Sequence, residues 1–283
     1  IKQALGSCGH IDEFEQFLQN IITTANIGYN FGCLDNFGNA AFFEFVPQNI
    51  TKFDVNNPLT ASDGFLVRSN FAFSLKLTSG RGSFRYHRAV ELIKAGLAKD
   101  RLHINYLLQQ VLKDIKTEAG DPFALMRSNN HRHAEQYFEI QQSINQYRTV
   151  SSVVFSGHAG PMADLTPFWC ALGEPLCSVY VPVWTKCGDL PQDLTDDMPG
   201  LLKFSLAIKN SLYPSKTNPQ IINLREGFRG RNPIFNLIKS VENDIFKKVE
   251  NSMNMWISTT EPTMEDICRF QHEIIIDAMR QIR

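Results

Sequence analysis

The sequence predicts an α+β fold, and three observations carry that prediction. Apolar residues recur at helical spacing near the start, through the second quarter and again after Leu190. Between these stretches lie short β-rich runs bounded by turn residues. Their order is helix, strands, helices, strands, helices, which is not the regular alternation of a parallel α/β protein. Runs such as "SSVVF" and "SVYVPV" are apolar at both alternating positions, as expected of sheets covered on both faces. Two sheets sandwiched between helical layers would satisfy that pattern.

Each element has a local reason. In "HIDEFEQFLQNIITTA", Asp12 is a suitable N-cap with Glu15 three residues on, and Phe14, Leu18, Ile21 and Ile22 form one stripe. The period then changes: "NIGYNFGCLDNFGNAAFFEF" is two apolar runs around Asp35-Asn36-Phe37-Gly38, a hairpin with turn-forming residues at its tip. A third strand is expected at 64–68, after the turn-rich "DVNNPLTASDG". "FRYHRAVELIKAGLA" and "HINYLLQQVLKDIKTEA" read as helices, the second with Leu107, Leu108, Val111 and Leu112 as its apolar face. "DPFALMRSNNHRHAEQ" is polar and irregular. "YRTVSSVVFSG", "LTPFWCALG" and "LCSVYVPVW" are β-rich, and Gly173-Glu174-Pro175 connects the last two. Helices are expected at about 199–212, 233–255 and 261–282, from the same apolar spacing.

Composition narrows the function classes. At 283 residues the chain is long enough for one large domain or two small ones. Its 43% hydrophobic and 20% charged content is that of a globular protein. A net charge of −1 argues against a nucleic-acid partner, which needs a basic face. No apolar run approaches the roughly eighteen residues of a membrane span. The six cysteines show no CxxC pair and no zinc-like spacing.

One stretch resists a purely structural reading. "DGFLVRSNFAFS" takes an apolar run into Arg68, Ser69 and Asn70 before turning apolar again, and "SFRYHR" follows soon after with Arg85. Solvated polar residues at a strand end would explain it. So would a site into which Asn70 and Arg85 both point.

Together, "YNFGCLDNFGNAAFFE", "VRSNFAFS" and "SFRYHRAVEL" resemble the N-terminal-nucleophile hydrolases related to penicillin acyl-coenzyme A acyltransferase and choloylglycine hydrolase. In that family an Asp-x-x-Gly turn joins two core strands, the next strand ends on an Asn, and a Ser-x-x-Arg segment opens the following helix. "RTVSSVVFS" and "FWCALGEPLCSVYVPV" resemble its later strands. The resemblance covers residues 3 to 185 and implies a four-layer αββα sandwich. Residues 1–190 would form that core without its first strands, and 191–283 a helical C-terminal extension packed on it. It implies a hydrolase or acyltransferase of linear amide C–N bonds, with a small-molecule amide or acyl-amine substrate, no cofactor and no metal. The nucleophile would be an N-terminal cysteine freed by self-cleavage, whose own α-amino group serves as base. Asn70 would donate to the oxyanion and Arg85 would hold positive charge near the nucleophile. Apart from the resemblance, Arg68 beside Asn70, His158 in the Gly-rich loop "SGHAGP" and Trp169 are candidates to line the substrate pocket, and a plain loop position is the other reading of His158.

The chain opens on Ile1, which suggests that it is not the translated start, and Cys8 leads into a helix rather than a strand. The nucleophile is therefore expected upstream of this chain. A non-catalytic binding protein that keeps the αββα shell is the alternative. An exported location is favoured over a cytoplasmic one, and a homo-oligomer is allowed. Other signals are weaker. His131, His133, Glu135 and Glu139 read as a helix start rather than a metal site. His87 and Arg88 read as solvated helix residues. "REGFRGRNP" reads as an exposed turn, since a phosphate cradle would need its glycines to lead into a helix N-terminus. Trp169, Phe168 and Tyr180 fit core or pocket wall equally well.

Overall fold

The computed structural model describes residues 1–21, 29–46, 49–74, 82–128, 137–158, 163, 165–215, 217–231, 233–259 and 261–282. The fold is α+β, with small antiparallel sheets. The chain divides into two compact units, one made of residues 1–90 and 157–166, the other of 91–156 and 167–283. Residues 191–283 thus share a unit with 91–156, and the division does not fall at residue 190.

In the first unit, α1 (Lys2–Ser7) and α2 (Ile11–Ile21) precede a three-stranded meander of β1 (Tyr29–Leu34), β2 (Ala40–Val46) and β3 (Asn49–Asp54). The hairpin forms as its turn residues require. Gly38 takes a positive φ of 88°, and Asp35 Oδ1 accepts from the backbone N–H groups of Phe37 and Asn39, both at 3.0 Å. The other oxygen of Asp35 accepts from Ile11 N at 3.3 Å, so the turn also caps α2. Burial works against the Asp35 charge, yet the bonds from Asn39, Ile11 and Phe37 outweigh it and hold the carboxyl below its ordinary value. Asp12 lies in the first turn of α2, and its carboxylate meets Lys52 of β3 at 2.8 Å.

The period of two decides what each face of β2 does. Ala41 and Phe43 point to α2 and pack with Ile11 and Leu18, joined by Phe14, Phe31 and Ile50. Full burial of Phe43 and Leu18 contributes about 1.5–3 kcal/mol each. Phe42 and Glu44 take the opposite face, where the segment after Gly64 packs.

That segment corrects one expectation. Residues 64–68 form no strand, and the third strand is Asn49–Asp54, paired with β2 from Val46↔Asn49 to Ala41↔Asp54. The β2 edge that 64–68 would have needed is already taken. Helix α3 (Ser83–Leu97) follows as expected.

In the second unit the long second helix is shorter than its apolar spacing suggests. α4 (Ile104–Tyr106) widens into a π-helical turn at Leu107–Val111 and then ends. Its buried residues are Leu108 and Val111. "DPFALMRS", expected irregular, forms α5 (Pro122–Ser128) on a proline start. β4 (Tyr137–Glu139) pairs with β8 (Ile221–Asn223), and β5 (Ser151–Phe155), β6 (Phe168–Leu172) and β7 (Val181–Val183) form an antiparallel meander. β7 is buried throughout, as "SVYVPV" predicts, but β5 is not: Val153 and Phe155 are 42% and 60% exposed. Only one face of β5 is covered.

The remaining helices are α6 (Gln192–Thr195), α7 (Gly200–Leu212), α8 (Leu224–Gly227), α9 (Ile234–Ser258) and α10 (Met264–Ile282). The three long ones match the expected spans closely. Trp184, Trp256 and Phe270 meet edge to face at 5.4–6.1 Å between ring centres. Two buried carboxylates of this unit have partners: Glu242 of α9 accepts from Lys113 at 2.6 Å and from Tyr180 N at 3.1 Å. Glu174 accepts from Asn145 at 2.6 Å and from the Tyr213 hydroxyl, with Lys209 at 3.7 Å. Burial nevertheless outweighs Tyr213, Asn145 and Lys209 and pushes the Glu174 carboxyl up.

Candidate functional site

The candidate site lies in the first unit, on the face of β2 opposite α2. A cleft of about 630 Å³ is walled by Tyr29, Phe42, Phe45 and Phe71 and carries the polar side chains of Glu44, Arg68 and Asn70. Its size and its aromatic walls with few polar groups suit a small organic ligand.

Asn70 does not end a strand. Ser69 O accepts from Phe71 N at 2.9 Å, so Asn70 sits at the apex of a three-residue turn and its side chain projects outward. Asn30 Nδ2 reaches the same carbonyl from β1 at 3.4 Å. Arg85, in the first turn of α3, donates from Nη2 to Asn70 Oδ1 at 2.5 Å. This contact also orients the amide. A guanidinium has donors only, so the atom facing it must be the oxygen, and the Asn70 NH₂ group is turned the other way. Among the described residues that NH₂ takes no partner. A cation on Oδ1 draws electron density from the amide and strengthens its N–H donors. Desolvation brings the Arg85 guanidinium below its ordinary value.

Gly82 makes this approach possible. It has a φ of +102°, and a Cβ there would stand 2.5 Å from Ser69 Oγ, 3.0 Å from Asn70 N and 3.2 Å from Arg85 Nη2. No side chain fits, so the Ser69-Asn70 turn can lie directly against the start of α3.

Arg68 is held differently. Its guanidinium lies 4.0 Å from the Phe53 ring centre, 4.4 Å from Phe73 and 5.5 Å from Phe42. Nη1 donates to the carbonyl of Val67 at 2.8 Å, while the buried Nε has no partner among the described residues. Desolvation lowers its affinity for the proton, and the negative charge of Glu44 partly restores it. Glu44 is 1% exposed and accepts from Phe73 N at 2.5 Å, Ser74 N at 3.0 Å and the Ser74 hydroxyl. It is the buried fastening that holds the 71–74 segment to the sheet.

The structure therefore brings Arg68, Asn70 and Arg85 into one region. His158 is exposed and does not line the cleft, though it belongs to the same unit. Trp169 belongs to the second unit, is 3% exposed and packs against Phe246 at 5.2 Å. It is a core residue there, not a wall of this cleft. His131, His133 and Glu135 lie outside the described residues, and among the described residues no cluster of His, Cys, Asp or Glu is placed to hold a metal. Cys8 follows α1 and stands ahead of α2, away from any strand start.

Two contributors were missed from sequence. Glu44 had a signal, a charge inside the otherwise apolar run "AFFEFV", which calls for a buried partner. Gly82 had a weaker one, a glycine just before the helix start. No protein-family model, no curated protein and no solved structure matches the chain.

Proposed function

We propose that this chain is the main part of an amide C–N hydrolase or acyltransferase of the N-terminal-nucleophile kind, with that family's four-layer αββα sandwich and a helical C-terminal extension. The observation that supports it most is the Arg85–Asn70 pair at the rim of an aromatic cleft. Acyl transfer builds negative charge on the former carbonyl oxygen, and it needs a neutral donor fixed before the reaction begins. Asn70 fits that role. Its amide is oriented by Arg85, its backbone is fixed by the Ser69–Phe71 turn, and its NH₂ carries no competing bond among the described residues.

The aromatic walls would take the apolar part of the substrate, and Arg68 a polar or anionic group near its buried Nε. Among the described residues no cysteine lines the cleft. The proposal therefore assigns the nucleophile to a cysteine upstream of Ile1, exposed as a new N-terminus by self-cleavage.

The test is made on the intact gene product. Mass spectrometry of its mature N-terminus should find a cysteine, and a panel of acyl amides should include substrates that are hydrolysed. Iodoacetamide should inactivate it through that cysteine. A mature chain with no N-terminal cysteine and no amidase activity would remove the proposal in favour of a binding role.

A further inference from the structure

All six cysteines are free thiols, and the packing of one turn on α10 brings two of them together. Cys187 closes the short 3-10 turn Thr185–Cys187 that follows β7, and Cys268 lies in the second turn of α10. Burial, and after it the nearby Cys268 thiol, push the Cys187 thiol up, and both residues are partly exposed.

The meeting is not left to two flexible side chains. Gln271 stands three residues beyond Cys268 on α10 and is fully buried. Its Oε1 accepts from Trp184 N at 2.7 Å, and its Nε2 donates to the carbonyl of Asp189 at 3.1 Å. These two bonds fasten the backbone on both sides of Cys187 to the helix that carries Cys268. Phe270 adds an edge contact to Trp184 at 5.8 Å. Gly188, at a left-handed φ of 65°, turns the chain immediately after Cys187. A buried glutamine that satisfies a backbone donor and a backbone acceptor fixes register as well as contact.

We propose that Cys187 and Cys268 are a thiol–disulfide exchange site that closes to a reversible intramolecular disulfide. The oxidant is a small-molecule disulfide such as oxidised glutathione. One cysteine, as thiolate, attacks a sulfur of that disulfide, forming a mixed disulfide and releasing one small thiolate. The second cysteine loses its proton to solvent and attacks the protein sulfur of the mixed disulfide, which releases the second small thiolate. In sum one small disulfide is reduced to two thiols, and two cysteines are oxidised to one cystine. Because Gln271 holds the Cys187 turn against the helix that carries Cys268, the closing step is intramolecular and the mixed disulfide does not accumulate. The new bond ties the connection after β7 to α10 across all the helices between them, and so restrains the unfolded chain.

The experiment uses the full chain with oxidised glutathione as the probe. After incubation the remaining thiols are alkylated, and the protein is digested without reduction and mapped by mass spectrometry. The peptides carrying Cys187 and Cys268 should appear joined, roughly 2 Da lighter than the separate thiol peptides together. Two of the six thiols should disappear, dithiothreitol should restore them, and the oxidised form should melt about 5 °C higher. Cys187→Ser and Cys268→Ser should each abolish the joined peptide. Recovery of both cysteines in alkylated form would overturn the proposal. So would a stable glutathione adduct on each, or linkage of either to another cysteine or another molecule.

Discussion

Removing the Glu44 carboxylate should loosen the cleft wall without dismantling the sheet. In Glu44→Ala, Phe73 N and Ser74 N lose the acceptor that holds them at 2.5 and 3.0 Å, and the Ser74 hydroxyl loses its own. Each orphaned buried donor costs about 1–3 kcal/mol. Arg68, half-buried among three phenylalanine rings, also loses its neighbouring negative charge, a smaller effect because solvent still screens it. For the three donors the total is about 3–9 kcal/mol, felt mainly by segment 71–74. β2 keeps its full register with β1 and β3, since those bonds are backbone to backbone. Native-state hydrogen exchange reads this directly. The Phe73 and Ser74 amides should lose protection by at least about 10²-fold, the equivalent of 3 kcal/mol, while Phe43 changes little. Glu44→Gln should fall between, because one oxygen remains to accept. If protection at Phe73 and Ser74 stays within about threefold of the wild type, Glu44 does not fasten the segment and the account of the cleft wall is wrong.

Two further outcomes test the packing and the electrostatics. Gly82→Ala places a methyl 2.5 Å from Ser69 Oγ at a φ of +102°, so it should cost about 1–3 kcal/mol in urea titration and displace Asn70 from Arg85; unchanged stability would mean the turn can move aside freely. Glu174 is an acid whose folded value is raised by burial, so its contribution is complete below the unfolded value near about 4.3 and declines as pH rises through the folded value. Glu174→Gln should flatten that decline in urea midpoints measured from acid to neutral pH, and an unaltered slope would contradict the burial argument.

What could be read in the sequence depended on how local the cause was. The C-terminal helices were legible because the apolar spacing in α7, α9 and α10 is long and regular, and the turn of the first hairpin because Asp35 and Gly38 each have one conformational job. Strand β3 was hidden: "NITKFD" is mostly half-exposed, and its place depends on its pairing with β2 rather than on its own pattern. The apolar run at 65–67 looked like a strand because Phe65 and Val67 are strand-forming residue types, but the edge of β2 it would have needed is paired with β3. The second helix lost its last turns because the widening at Leu107–Val111 has no counterpart in the apolar period. Arg68, Asn70 and Arg85 stood out as polar residues among apolar ones, and their meeting rests on Gly82 and Glu44, whose partners lie far along the chain. His158 was placed near them by its Gly-rich loop and Trp169 by its residue type, and residue type does not say which core a tryptophan fills.

The central claim is that Asn70 donates to charge that develops during the reaction, and the most direct measurement is the kinetics of Asn70→Ala in the intact protein. The account predicts that kcat falls by about 10²–10³ while KM and urea stability hold, the size expected for one fixed oxyanion donor. Asn70→Asp should be slower still, because a carboxylate beside Arg85 would repel the forming oxyanion. Full activity in both variants, or a loss of activity that merely follows a loss of stability, would contradict it.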